Sequence, residues 1–314
     1  MVKFFAFSAT CLLLLTSTLS HAEDWRYVNE YLLTSDSDNA EQQAIYLGAL
    51  KKLHSSDAQA GIWLGQWRFD EPVGSESFDV LRLSYAREMS ERTDIEAQVS
   101  LTDGADWTPV LGRLTVVHRP SEQWRIESSV EKGWVDSVLG LRQELGLYSY
   151  SVSADWRFAN QWTLVGSLLG MSIDDGNDRK GAVARLIYEV ASRPGLTLQT
   201  RSKWLNSKFN GNGYFSPDRL QEHLLLVGYA RPLLQDRWSL RTLAGAGTQT
   251  FRSAGQDEIN NDLYYLEIGI RGWFSDHLGL EGKAYCSNAG GPNQGAPDND
   301  YRYCNLGLSI IASY

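Results

Sequence analysis

Ser216, Asp218 and His223 lie close together in the sequence. A hydroxyl, a carboxylate and an imidazole are the types a nucleophile and its base require, provided all three reach one point. No phosphate-binding loop, zinc-ligand spacing or nucleophile elbow accompanies them. His54, His118 and His277 fall in or beside short breaks between apolar runs. We assign no catalytic residue, no metal and no cofactor, and expect the protein not to be an enzyme. A larger set of residues suits binding instead: Arg82, Arg113, Arg125, Glu127, Glu131, Asp155, Arg157, Arg185, Glu189, Arg201, Lys203, Arg241, Glu267, Arg271, Glu281 and Lys283. Both signs are mixed, so no single-sign ring selects anions or cations. To act together these side chains must share one face of a continuous wall.

The alternation of residue types supplies that wall. From Tyr148 to Phe158 the even positions are Tyr, Tyr, Val, Ala, Trp and Phe, and the odd positions are Ser149, Ser151, Ser153, Asp155 and Arg157. A strand sends these to opposite faces. Trp124–Val130, Leu196–Trp204 and Leu278–Ala284 repeat the pattern, with charge along the whole polar face.

The breaks between runs fall into two classes. Short ones are 90–94, 119–122, 159–161, 192–195, 235–237 and 275–277; longer ones are 70–77, 103–109, 135–145, 174–180, 206–219, 253–261 and 288–300. They alternate strictly, as the short inner turns and long outer loops of an outer-membrane barrel do. The expected fold is all-β: a transmembrane, antiparallel, up-and-down outer-membrane β-barrel of about 16 strands with both termini periplasmic. The runs 24–34 and 42–53 are the least defined, and Glu41–Leu53 fits a helix on pattern alone. Trp124, Trp134, Trp156, Trp162, Trp238 and Trp273 sit near run ends, where interfacial girdles or ordinary strand-end packing would place them. The final run alternates Leu306, Leu308, Ile310, Ala312 and Tyr314 with small polar residues. A terminal amphipathic strand ending on an aromatic is similar to the signal read by the bacterial barrel-assembly machinery, so that machinery and outer-membrane lipid are expected partners.

Composition agrees with export. Lys3, the apolar stretch Phe4–Leu15 and Ser20-His21-Ala22 read as a signal peptide, residues 1–22, leaving 23–314 as a single barrel domain. The formal charge of the 314-residue chain is -9, and removing Lys3 with the peptide makes it more acidic, which argues against a nucleic-acid partner. Cys286 and Cys304 then form an even pair in an exported chain. They share parity and flank the last long break, so they can lie opposite each other across a hairpin and bridge; free thiols are the alternative, and metal ligation lacks any partner at suitable spacing.

If the apolar face meets lipid, the sixteen charged residues line a wet lumen, since unpaired charge in a dry one would be too costly. They either line a pathway or form salt-bridge ladders that stiffen the wall. Tyr214-Phe215-Ser216-Pro217 follows a Gly/Asn-rich stretch in a long break. Its rings either fold over the lumen as a constriction or sugar-stacking platform, or anchor in headgroups.

The segment "NGNGYFSPDRLQEHLLLVGYARPL" resembles the Gly-Tyr-Phe-Ser-Pro segment in the C-terminal barrel of the bacterial cellulose synthase operon protein C family, the outer-membrane cellulose exporters. The match is local, Gly213–Pro217 and the strand after it, and we carry over only Tyr214, Phe215, Ser216 and Pro217. The tetratricopeptide repeats that precede the barrel in that family have no counterpart here. The resemblance implies an outer-membrane channel assisting export of an exopolysaccharide, cellulose-like, with an inner-membrane polysaccharide synthase supplying the push and a separate periplasmic scaffold as partner. The alternatives are a porin-like diffusion channel and a plugged structural or receptor barrel.

Overall fold

The computed structural model describes residues 25–53, 57–209, 211, 213–234, 236–253, 257–289 and 301–313. The expected signal peptide, His54 and Tyr314 lie outside the described residues. Sixteen strands follow one another: β1 Trp25–Asp36, β2 Glu41–Lys52, β3 Ala58–Glu71, β4 Gly74–Ser90, β5 Thr93–Gly104, β6 Val110–Ser121, β7 Trp124–Trp134 and β8 Gly146–Ala159 in the first half. The second half has β9 Trp162–Ile173, β10 Asp178–Glu189, β11 Leu196–Ser207, β12 Arg219–Leu233, β13 Trp238–Arg252, β14 Ile259–Trp273, β15 Leu278–Ser287 and β16 Tyr303–Ser313. A short helix, α1, Val138–Arg142, lies between β7 and β8. Every strand pairs antiparallel with its neighbours in sequence, and β1 pairs with β16, which closes the barrel and leaves no sheet edge.

The register identifies the two faces. Arg82 on β4 reaches Glu30 on β1 at 2.9 Å, with β2 and β3 between them. Only the concave side allows a contact that skips strands. The register carries this face round the ring, from Arg82 to Ser100, Leu111, Ser149, Arg185, Arg201, Glu267 and Asn305. The opposite face is apolar and bare: Leu168 is 68% and Leu225 69% exposed. Such a surface suits hydrocarbon rather than water.

One open alternative is settled by the folded chain, and other expectations need correcting. Glu41–Lys52 is strand β2, not helix, because its pairing with β1 and β3 decides what the pattern left open. The break at 70–77 is a turn of Pro72 and Val73 only. Arg68 and Asp70, ion-paired at 2.6 Å on the outward face, extend the β3–β4 hairpin past the apolar belt. With 190–195 also longer than 174–177, the alternation of loop lengths is a tendency and not strict. In the aromatic girdle, Trp124 and Trp156 stack outward at 5.4 Å and continue through Phe158, Trp162 and Tyr188, and Trp238 meets Phe274 outside at 4.9 Å. Trp134 and Trp273 instead turn inward. Trp273 packs over Gly279, and Trp134 ends β7 where the chain bends into the mouth.

Candidate functional site

The register places all sixteen charged residues singled out from the sequence on the inner wall. Most pair with one another: Arg113 with Glu131 at 2.8 Å, Arg125 with Glu127 at 2.5 Å, Arg157 with Glu189 at 3.1 Å, and Lys283 with Glu267 at 3.2 Å. Arg125 also reaches Asp155 at 3.7 Å, and Arg271 reaches Glu281 at 3.8 Å. These pairs are largely solvated, so each contributes only about 0–1 kcal/mol. Their effect is to keep the wall polar. Between them runs a hydroxyl ladder, with Ser129 and Ser151 at 2.8 Å and Ser167 donating to Ser153 at 2.9 Å.

Among the inner-wall acids that escaped the sequence reading are two that hold basic residues named from it. Glu30, the partner of Arg82, lies on a strand whose pattern is weak. Glu222 is 2% exposed and holds Lys203 at 3.2 Å. Leu224, Leu225, Leu226 and Val227 are apolar on both faces of β12, so periodicity assigns Glu222 to neither.

At the loop end the lumen narrows. The β7–β8 segment folds inward and forms α1. Ser137 caps it, its Oγ accepting from the Gly140 N–H at 3.1 Å, which satisfies an otherwise orphaned donor. Val138 and Leu141 bury against Trp134, Phe69 and Phe78, with the Trp134 ring 4.8 Å from Phe78 and 4.9 Å from Trp67. Arg142 ties the helix to the β3–β4 hairpin, donating to Glu76 Oε1 at 2.7 Å and the Val73 carbonyl at 3.0 Å. On its other side α1 meets the β11–β12 loop, where a Cβ on Gly213 would stand 2.6 Å from the Leu139 Cβ. The hairpins β3–β4 and β11–β12 are half the ring apart. The helix therefore crosses the mouth. Val135, Val138, Leu139, Leu141 and Leu145 were the available signal, since an outer loop this apolar has to bury itself.

Tyr214-Phe215-Ser216-Pro217 does fold over the lumen, but Tyr214 is 5% exposed and offers no ring to a passing ligand. Its hydroxyl donates to Asp175 Oδ2 at 2.5 Å. Asn177, fully buried, donates from Nδ2 to Tyr214 Oη at 3.0 Å, Ser216 Oγ at 2.8 Å and the Phe209 carbonyl at 3.0 Å. Arg179 lies 5.1 Å over the Tyr214 ring and donates to the Phe215 carbonyl. Phe215 packs edge-on against Phe251 on the inner wall, 5.9 Å away. The Tyr214 hydroxyl is pushed up to about 12, first by burial and then by the bond to Asp175. The segment is a buckle between the β9–β10 turn and the β11–β12 loop. It is neither an exposed stacking platform nor a headgroup anchor, because Asn177 and Asp175 draw its polar atoms inward.

Beside this crossing lies a cavity of about 570 Å³, lined by Gln42, Trp67, Arg82, Gln98, Arg113 and Ser149 among others. A second, of about 300 Å³, shares Tyr46, Trp67 and Arg82 with it and extends to Glu281 and Lys283. Arg82 sits 3.7 Å over the Tyr46 ring and 5.9 Å from Trp63. The cavities combine a half-buried indole with amides, hydroxyls and fixed charge pairs. That mixture can exchange hydrogen bonds with a polyhydroxylated chain and stack against its apolar C–H faces.

The catalytic set does not assemble. His223 faces outward, its Nδ1 2.9 Å from Ser202 Oγ. Ser216 is 3% exposed and donates to the Phe209 carbonyl at 2.7 Å. Cys286 and Cys304 are register partners on the outward face and are joined by a disulfide.

No protein-family model matches the sequence, and no curated protein matches it. Among solved structures, one described as a bacterial polysaccharide outer membrane secretin is similar with a TM-score of 0.73 and 11% identity, covering 93% of this chain and 99% of that one. OprD of Pseudomonas aeruginosa is similar with a TM-score of 0.48 and 7% identity, covering 92% of this chain and 94% of that one. At these identities the similarity is one of fold.

Proposed function

We propose that the protein is an outer-membrane channel assisting the export of an exopolysaccharide. The observation that carries this is the end-to-end match, 93% of this chain against 99% of the other, to a barrel described as a bacterial polysaccharide outer membrane secretin. The lumen supports it: paired charges, a serine ladder and Trp67 beside a cavity suit a hydroxyl-rich polymer better than an ion. Transport would be passive, with the chain passing from hydrogen bond to hydrogen bond under push from an inner-membrane synthase. A cellulose-like cargo and a periplasmic scaffold belong to the same proposal through the Gly213–Pro217 resemblance, and the barrel-assembly machinery through the terminal amphipathic strand. The test is secreted polysaccharide in a deletion strain complemented with wild type or Trp67→Ala. Loss on deletion, restored by wild type and weakly by the variant, is expected. Unchanged secretion together with swelling of proteoliposomes in small sugars would make the protein a diffusion channel instead.

A further inference from the structure

The acids of the inner wall described above each have a basic partner within 4 Å, but not every base has an acid. Among the described residues, Arg185 and Arg201 have no carboxylate at that distance, although they are direct register partners on β10 and β11. Like charges directly opposite each other destabilise a strand pair. Within hydrogen-bond and ring-contact distance their surroundings offer only neutral groups. Arg185 donates from Nε to Gln199 Oε1 at 2.7 Å and from Nη2 to the same oxygen. Gln199 is itself held by Thr197, 2.7 Å from its Nε2. Arg201 lies 4.8 Å from the Tyr265 ring on β14.

The acids nearest in the field of Arg185 are Glu267 and Asp155. Both are engaged elsewhere: Glu267 accepts from the Tyr265 hydroxyl at 2.5 Å and pairs with Lys283 at 3.2 Å, and Asp155 faces Arg125. The next cation along β11, Lys203, is neutralised by Glu222. Between β11 and β14 the inner face presents the buried Leu224 and Leu226 of β12 and Gly245 and Gly247 of β13, and Arg201 reaches across them toward Tyr265. The two guanidinium groups thus share the lumen-facing side of the β10–β11 pair, neither with a carboxylate within 4 Å among the described residues, and guanidinium forks match the geometry of carboxylate and sulfate.

We infer that Arg185 and Arg201 form an anion-binding station on the β10–β11 wall, which takes a carboxylate or sulfate group. Resting on the export proposal, this names the cargo class as a polysaccharide carrying acidic substituents, in place of the unsubstituted cellulose-like chain that the Gly213–Pro217 resemblance alone implies. An anionic group entering between the two guanidiniums relieves their mutual repulsion and binds by charge-assisted hydrogen bonds. A neutral sugar gains neither.

The test is calorimetric titration of the detergent-solubilised full-length protein with tetragalacturonate, cellotetraose and inorganic sulfate. Wild type, Arg185→Gln/Arg201→Gln and Arg185→Lys/Arg201→Lys are compared, each first checked for heat-modifiable migration. Tetragalacturonate should bind wild type about tenfold more tightly than cellotetraose, the scale of one charge-assisted contact. The glutamine pair should abolish that preference and the lysine pair should retain part of it. If sulfate binds and is lost in the glutamine pair while neither oligosaccharide binds, the station stands as a site for free anions and the export reading fails. If both oligosaccharides bind equally in wild type, the station is overturned and the export reading survives.

Discussion

Two sides of the same lumen are built on opposite principles. The β3–β7 side at the loop end is filled: Phe69, Phe78 and Trp134 bury against α1. The β10–β14 wall carries long charged side chains, Arg185, Arg201 and Glu267 among them, beside a small buried cluster of Leu224, Leu226 and Leu263. One side gains stability by removing apolar surface from water, and the other keeps water in place with charge. The difference shows that an inward-facing position is not one environment. Near the roof the inner wall is an aromatic core, whereas on β10–β14 charged side chains lie beside a smaller buried leucine cluster.

The largest effect that could break this contrast is on the filled side. Trp134→Ala should lower barrel stability by about 3–5 kcal/mol, the cost of emptying a buried aromatic site, measured by urea unfolding in detergent micelles. Arg201→Gln in the same assay should change stability by less than about 1 kcal/mol, as expected of a solvated side chain. Equal losses in the two variants would remove the distinction. Next in size is the buckle. Asn177→Ala leaves several buried polar groups short of a donor and should weaken the β11–β12 loop by about 1–3 kcal/mol. Hydrogen exchange should accelerate at 208–218 and stay slow in the strands. The smallest effect sharpens the role of Tyr214. Its hydroxyl, raised to about 12, starts from an unfolded value of about 10. The buckle's contribution is therefore complete below the unfolded value and is lost as pH rises through the folded one. After the base-catalysed rise of intrinsic exchange is divided out, protection at 208–218 should fall across that alkaline window in wild type and not in Tyr214→Phe.

The wall was legible from the sequence because alternation survives any tertiary context: charge at Arg125, Asp155, Arg201 and Lys283 on a polar face requires an aqueous side. What lies inside the mouth was not. Trp134 has the position of a girdle residue and becomes core only because α1 folds beneath the rim. Tyr214 reads as an exposed ring in a Gly/Asn loop, and its burial depends on Asn177, far away in sequence. Strand β2 was ambiguous for the same reason, since pairing with β1 and β3 is a long-range fact. Local pattern specifies which face is wet, and only the folded chain specifies which loops enter the wet space.

The most direct test of this account is single-channel conductance in planar bilayers, comparing wild type with a variant in which residues 136–144 are replaced by a short Gly-Ser turn. If α1 crosses the mouth of an otherwise water-filled barrel, the excised form should conduct several-fold more than wild type while migrating as a folded barrel. Equal conductance in the two folded proteins would contradict a mouth closed by that helix.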